Sequence, residues 1–87
     1  MAEFELSAHA RDMLLERRIE EGWVRRTIQT PRGRSKGVDG NVHYTKPIRE
    51  RQGRQLHVVV NPTVSPQRIV TVFFDRRLGR AHEIEDR

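Results

Sequence analysis

The side chains best suited to proton transfer in this 87-residue chain are its four histidines, His9, His43, His57 and His82. An imidazole gains or loses its proton near neutral pH, so it can serve as a general base or a general acid. The chain has no cysteine and no His-x-x-x-His or Glu-x-x-His spacing, so nothing indicates a metal site. No glycine-rich phosphate loop occurs either. We therefore expect a site that uses neither a metal nor a nucleotide cofactor.

Positive charge is concentrated in the middle of the chain. The formal net charge is +5, and residues 31–54 hold seven of the 17 basic side chains against two acidic ones. A segregated cationic zone on a small domain is typical of proteins that contact phosphate backbones. The alternative is an arginine-rich face that only aids solubility. The candidate phosphate contacts in this zone are Arg32, Arg34, Lys36, Lys46 and Arg54.

Period-two alternation places two of the histidines in strands. His43 and His57 each stand between apolar residues, so each points away from the apolar side of its strand. If helices cover that apolar side, both imidazoles lie on the open side of the sheet. The sequence does not decide which alternating set of the last strand lies on the open side, because a bulge would shift the register of the strand. The two sets are Ile69, Thr71 and Phe73, or Arg68, Val70, Val72 and Phe74.

An open face with two histidines, a hydroxyl and flanking arginines would carry the groups that RNA cleavage needs. A base takes the proton of the 2′-hydroxyl, cations stabilise the charge of the phosphorane, and an acid protonates the leaving 5′-oxygen. His9 lies elsewhere, about a quarter-turn from the apolar stripe of a predicted helix. It is expected to cap the seam between helix and sheet, or to be a hydrogen-bonded edge residue.

Two predicted helices come first in the chain. Ser7 is the expected N-cap of a helix from Ala8 to about Arg18. The spacing of its apolar side chains predicts a buried stripe of Ala10, Met13, Leu14 and Arg17, around which the rest of the chain would be organised. A second helix is predicted to begin at residues 20–21, to bury Val24, Thr27 and Ile28, and to end before Pro31.

Three strands follow, and Phe4 to Leu6 forms a short strand or an extended lead-in ahead of the helices. Residues 31–40 combine proline, glycines and cations and are predicted to be a loop, and strands are expected near residues 41–45, 55–60 and 67–74. The last strand is apolar on both faces, so we expect it inside the sheet. The sequence predicts an α+β fold with two helices packed on one face of a three- to four-stranded antiparallel sheet.

Length and composition favour a single domain over residues 1–87, with a core from residue 4 to residue 74 and a C-terminal turn or tail from residue 75 to residue 87. No basic and apolar leader begins the chain, and no apolar run approaches the roughly 20 residues of a membrane span. We expect a cytoplasmic protein that makes no contact with membranes.

Two motifs carry a resemblance to a known family. The first is Ser7-x-His9-Ala10 with Met13, Glu16-Arg17, Ile19, Val24 and Pro31 behind it, and the second is the strand Arg68-Ile69-Val70-Thr71-Val72. In these motifs, over residues 4–74, the sequence resembles the bacterial domain-of-unknown-function 4258 family. The motif of the strand alone would be weak evidence, because many sheets share such a pattern.

The order of strand, two helices and three strands is also similar to that of the RelE-type toxins, ribonucleases of the barnase/colicin-like group. That resemblance implies a site on the open face of the sheet, with RNA and a cognate antitoxin-like protein as partners. It implies phosphate contacts from Arg54, Arg68 and Arg76, and it places His82 where some toxins have a C-terminal acid.

The leading interpretation is a small RNA-associated protein that either binds RNA or cleaves it, and the residues leave open whether it is an enzyme. The alternative is a non-catalytic interaction module, a monomer or a homodimer formed through the doubly apolar strand Ile69–Phe74.

Overall fold

The computed structural model describes residues 4–79 of the chain. Within that range the elements follow the order β1 (Phe4–Leu6), α1 (Ala8–Arg17), α2 (Glu21–Gln29), β2 (Gly33–Lys36), β3 (Val42–Ile48), β4 (Arg54–Asn61) and β5 (Gln67–Phe74). Short 3-10 helices follow β3 and β5, at Arg49–Arg51 and Arg76–Leu78. The candidate His82 lies outside the described residues.

The strands form one five-stranded sheet in the order β1-β5-β4-β3-β2. The strand β1 runs parallel to β5, and the other neighbours are antiparallel. The predicted α+β fold with two helices is confirmed, and so is the interior position of β5, which is hydrogen-bonded to β1 and β4.

The sheet differs from the predicted three- to four-stranded antiparallel sheet in two respects. The strand β1 adds a parallel pair, and Gly33–Lys36, which the sequence predicts as loop, forms the edge strand β2. The residues of β2 are polar and mostly exposed, so they carry no apolar alternation. Their strand conformation comes from backbone pairing with β3, and tertiary pairing overrides a weak local preference in this way.

Helix α1 is fastened to the sheet at its first turn. Ser7 is the N-cap: its Oγ accepts a hydrogen bond from the backbone N–H of Ala10 at 3.0 Å and donates one to the carbonyl of Val70 at 3.0 Å. Of the predicted stripe, Ala10 alone is buried, while Met13 and Leu14 are partly buried and Arg17 is exposed. This helix therefore packs on the core through Ala10 and, in part, Leu14 rather than through the whole predicted stripe.

Helix α2 supplies most of the helical part of the core. Its buried residues are Trp23, Val24, Thr27 and Ile28, which lie on one face because they are spaced one and four residues apart. The hydroxyl of Thr27 donates to the carbonyl of Trp23 at 2.8 Å, so its burial leaves no unsatisfied group. The structure confirms the predicted stripe and adds Trp23 to it.

The side chains of strand β4 alternate between the helix-facing side of the sheet and the opposite side. Leu56, Val58 and Val60 are fully buried in the core beneath the helices, so His57 and Val59 point to the opposite side. The predicted placement of His57 on the side away from the helices agrees with this geometry, but the prediction that this side is open is wrong at this position, because His57 is 9% exposed and Val59 is 5% exposed.

A bulge in β5 resolves the two alternatives for that strand. Val59 is opposite Thr71 while Val60 is opposite Ile69, so Val70 is the extra residue. Thr71 and Phe73 therefore share the side of His57, whereas Ile69, Val72 and Phe74 contribute to the core. Neither alternating set holds over the whole strand.

Within residues 4–79, the helices are too short and too polar to cross a membrane.

Candidate functional site

Two of the four histidines meet on the sheet face opposite the helices. Nδ1 of His43 and Nε2 of His57 are 2.8 Å apart, and the two rings are in edge-to-face contact. The strand pairing produces this meeting, because His57 is opposite Thr45 and His43 is opposite Val59, which makes the histidines diagonal neighbours on one face. The two imidazoles share one hydrogen bond.

Asp75 fixes the other side of His57. The residue follows β5, is 5% exposed, and its Oδ2 is 2.9 Å from Nδ1 of His57. The Arg77 side chain donates to both carboxylate oxygens, at 3.0 and 2.8 Å, and the Arg77 backbone N–H adds a further hydrogen bond. The Arg77 guanidinium, followed by His57, holds the pKa of the Asp75 carboxyl well below its usual range. Phe73 stacks on the ring of His57, with the centroids 4.8 Å apart.

Asp39 lies at the other end of the pair. Its Oδ1 is 3.5 Å from Nε2 of His43, and it also accepts a hydrogen bond from the backbone N–H of Asn41 at 2.9 Å. That backbone hydrogen bond is the main reason why the pKa of Asp39 is lowered. Nε2 of His43 is buried and has no hydrogen-bond partner among the described residues.

These four side chains form one line across the sheet, which we call the His–Asp chain: Asp75, His57, His43 and Asp39. The sequence indicated that the two histidines share a face, but not the two carboxylates. Asp75 had one usable signal, an acid directly after an apolar strand whose neighbour carries a histidine. Asp39 had none beyond its Asp-Gly turn.

A pocket of about 410 Å³ lies where β4 begins and β5 ends. We call it the sheet-end pocket, and it is lined by Arg54, Gln55, Phe74, Asp75, Arg76 and Gly79. The guanidinium of Arg54 lies over the ring of Phe74 at 5.4 Å. Two of the predicted phosphate contacts, Arg54 and Arg76, are thus brought together at one pocket, and Asp75 links that pocket to the His–Asp chain.

Three other predicted phosphate contacts lie on the helix-facing side of the sheet. Cross-strand neighbours point to the same face, and each of these cations is opposite a helix-facing residue. The Arg34 guanidinium lies over Tyr44, and the Lys46 ammonium donates to the carbonyl of Thr30 at 2.7 Å. The pairs are Arg34 with Tyr44, Lys36 with Val42 and Lys46 with Leu56. The structure does not place these cations beside the histidines.

The remaining candidates are dispersed. Arg68 is opposite Asn61 and Glu5, so it lies at the other end of β5 from Arg76. Arg32 precedes β2, and its backbone N–H donates to the carbonyl of Thr45 at 2.8 Å. Arg54 and Arg76 lie together at the sheet-end pocket, whereas Arg68 and Arg32 do not line it.

His9 lies on α1, where its Nε2 is 3.2 Å from the hydroxyl of Thr71. This exposed contact between α1 and β5 fits the reading of His9 as a residue at the seam between helix and sheet. It is separate from the His–Asp chain. Within residues 4–79, no three histidine or acidic side chains are grouped so as to hold a metal ion.

Fold and site together define a small α+β protein with a mixed five-stranded sheet, a histidine pair on the side away from the helices and a cationic pocket at one end. The model of the family described as Domain of unknown function (DUF4258) matches residues 6–74, and the chain belongs to that family. The resemblance drawn from the sequence motifs is confirmed. No curated protein and no solved structure matches the chain significantly, so the RelE-like topology stays a prediction.

Proposed function

We propose that this protein is an RNA-associated module that holds the phosphate backbone of RNA at the sheet-end pocket. The observation that carries the proposal is the convergence of Arg54 and Arg76 on one pocket of about 410 Å³. A guanidinium offers several N–H donors in a plane and binds phosphate oxygens in pairs. Two of them at one pocket suit a phosphate group with part of its nucleotide.

Charge and composition of the pocket support a backbone contact rather than reading of the bases. The chain carries a net charge of +5. The polar lining of the pocket consists of the two arginines, the amide of Gln55 and the carboxylate of Asp75, whose charge is paired with Arg77. Contacts of this kind position a nucleic acid without selecting its sequence. The order of elements predicted from the sequence resembles that of RelE-type toxins, and this resemblance favours RNA over DNA as the polyanion.

Binding is supported better than cleavage. Both ring nitrogens of His57 are already hydrogen-bonded, and Nε2 of His43 is buried. A catalytic base must reach the proton that it abstracts, within about 3 Å or through one water. Cleavage would need a rearranged His–Asp chain, or a contribution from the exposed His9 or from His82.

Fluorescence anisotropy with a short labelled single-stranded RNA tests the proposal. We expect binding at low ionic strength that weakens steeply with salt, by about 0.7 in the log–log slope for each neutralised phosphate. Arg54→Ala and Arg76→Ala should each lower the affinity about tenfold and flatten the slope by roughly 0.7.

Arg25→Ala is the matched control, because Arg25 is an exposed residue of α2 paired with Glu21 at 3.1 Å. It removes the same charge away from the pocket and should change the affinity by no more than about twofold. Equal losses in all three variants, or no binding by the native chain at low salt, would show that the pocket is not an RNA site.

Two further assays separate the neighbouring interpretations. Incubation of labelled RNA with the native chain, His57→Ala and His82→Ala shows whether the RNA is cleaved. Cleavage that is lost in either variant would make the protein a ribonuclease.

Sedimentation of the native chain tests the alternative of a homodimeric interaction module. The strand β5 is paired with β4 along its length but with β1 only at residues 67–69, so a homodimer could use either the face of that strand or its edge beyond Ile69. A stable dimer without affinity for RNA would favour that alternative.

A further inference from the structure

The hydrogen bonds of the His–Asp chain require a particular number of protons. Asp75 is a charged acceptor of Arg77, so the proton of its contact with His57 belongs to Nδ1 of His57. The contact between His57 and His43 needs a second proton, on one of the two facing nitrogens. Two neutral imidazoles carry two protons in total, and these two contacts use both.

The third contact is then left without a proton. With both rings neutral, Nε2 of His43 is a bare lone pair that faces the Asp39 carboxylate at 3.5 Å. A buried acceptor next to an anion is unfavourable, because no donor compensates for its lost hydration. One additional proton on the pair supplies the missing donor, whichever ring formally carries the charge.

The surrounding charges favour that additional proton. Within residues 4–79, the charged groups that face the pair are Asp39 from the turn after β2, Asp75 after β5, and Arg77, which reaches the pair through Asp75. Two carboxylates and one guanidinium leave one negative charge, which a single added proton neutralises. Among the described cross-strand and stacking neighbours, the remaining ones are uncharged: Phe73, Thr45, Ser35 and Val59.

The turn that carries Asp39 is built to close over Nε2 of His43. The backbone N–H of Gly40 donates to the carbonyl of Gly37, and the N–H of Gly37 donates to the carbonyl of Asn41. A side chain at Gly37 would place its Cβ 2.7 Å from both Nε2 of His43 and Oδ1 of Asp39. The missing side chain is what lets the carboxylate approach the ring.

We propose that His43 and His57 take up one shared proton, and that this proton fastens the turn Gly37–Asn41 to the sheet through an ion pair between His43 and Asp39. The turn is closed when the pair carries the proton and is released when the pH rises and the proton leaves. The proton count holds whether or not the chain binds RNA.

NMR measurements over a range of pH test whether a shared proton closes the turn. The chemical shifts of the ring nitrogens of His43 and His57 should change together in one step, because the two rings share the proton. After correction for intrinsic rates, the amides of Gly37 and Gly40 should exchange about fivefold to tenfold more slowly below the midpoint of that step than above it.

Two variants of the turn act on the proposed ion pair in different ways. Asp39→Asn removes the anion, and Gly37→Ala keeps every titratable group but pushes Asp39 away from the ring. Both should abolish the pH dependence of exchange in the turn, while His57 keeps its contact with Asp75. Asp12→Asn is the matched control, since it removes a carboxylate from the exposed side of α1 and should leave that dependence intact.

The native chain alone can refute the device. Separate titrations of His43 and His57, or equal exchange of Gly37 and Gly40 on both sides of the step, would show that no shared proton closes the turn. The proposal would also be wrong if Gly37→Ala kept the native pH dependence.

Discussion

Asp75 is the residue on which the histidine pair depends, because it orients His57 and is itself held by Arg77. Alternation along β3 and β4 was enough to predict that His43 and His57 share a face of the sheet. It could not predict that their rings touch, because contact depends on the diagonal offset between the strands and on rotamers. The partners Asp75 and Asp39 lie in turns, where no periodic pattern assigns a direction to a side chain.

The substitution Asp75→Asn should destabilise the native state. The variant loses a charged acceptor for His57 and Arg77 in a buried position, which should lower the free energy of unfolding by about 1–3 kcal/mol at pH 7. Urea denaturation measures the change. Asp12→Asn, at an exposed position of α1, should stay within about 0.5 kcal/mol of the native chain.

The difference in the free energy of unfolding between the native chain and Asp75→Asn should become smaller in acid. Arg77 lowers the pKa of Asp75 in the folded chain below the value of about 3.9 expected when unfolded, so the carboxylate stabilises the fold above that pH. The gap between the native chain and Asp75→Asn should narrow as the pH falls below about 4. A gap of constant size through the acid range would show that Asp75 does not act as a charged group.

Among the elements, the helices show how far the pattern of apolar residues can be trusted. The stripe predicted for α2 is buried as expected, and Trp23 extends it. The stripe predicted for α1 is buried only at Ala10, although its start at Ser7 was predicted correctly. Periodicity describes which residues share a face, but it does not say how closely the sheet approaches that face. The pairing of β2 was equally out of reach, because its polar residues carry no alternation.

The N-cap of α1 should contribute more stability than a typical exposed serine. Ser7 satisfies a free N–H of the helix and also ties that helix to β5 through Val70. We expect Ser7→Ala to lower the free energy of unfolding by about 0.5–2 kcal/mol in thermal or urea melts. Ser35→Ala, on the exposed edge strand β2, is the comparison and should cost clearly less. Equal effects would mean that the cap is not a significant link.

In the molecule as a whole, stability is concentrated in the single core between α2 and the centre of the sheet. Leu56 is fully buried in that core, whereas Leu15 on α1 is 79% exposed. Leu56→Ala should lower the free energy of unfolding by about 2–5 kcal/mol, because it removes buried apolar contacts and leaves a cavity. Leu15→Ala deletes the same atoms at the surface and should change it by about 0.5 kcal/mol or less. Denaturant unfolding of the two variants side by side gives this comparison, and similar values would place the core elsewhere.

The parallel pairing of β1 with β5 joins segments that lie far apart in the sequence, since Phe4 is opposite Gln67 and Leu6 is opposite Ile69. A growing polypeptide therefore cannot complete its sheet until the last strand has left the ribosome, while the antiparallel pairs β2–β3 and β3–β4 can assemble earlier. Contacts of such long sequence separation slow folding, because the intervening loop must close first. Until that moment β1 has no strand to pair with, and a nascent chain halted before β5 would leave the inner edge of β4 open to other polypeptides.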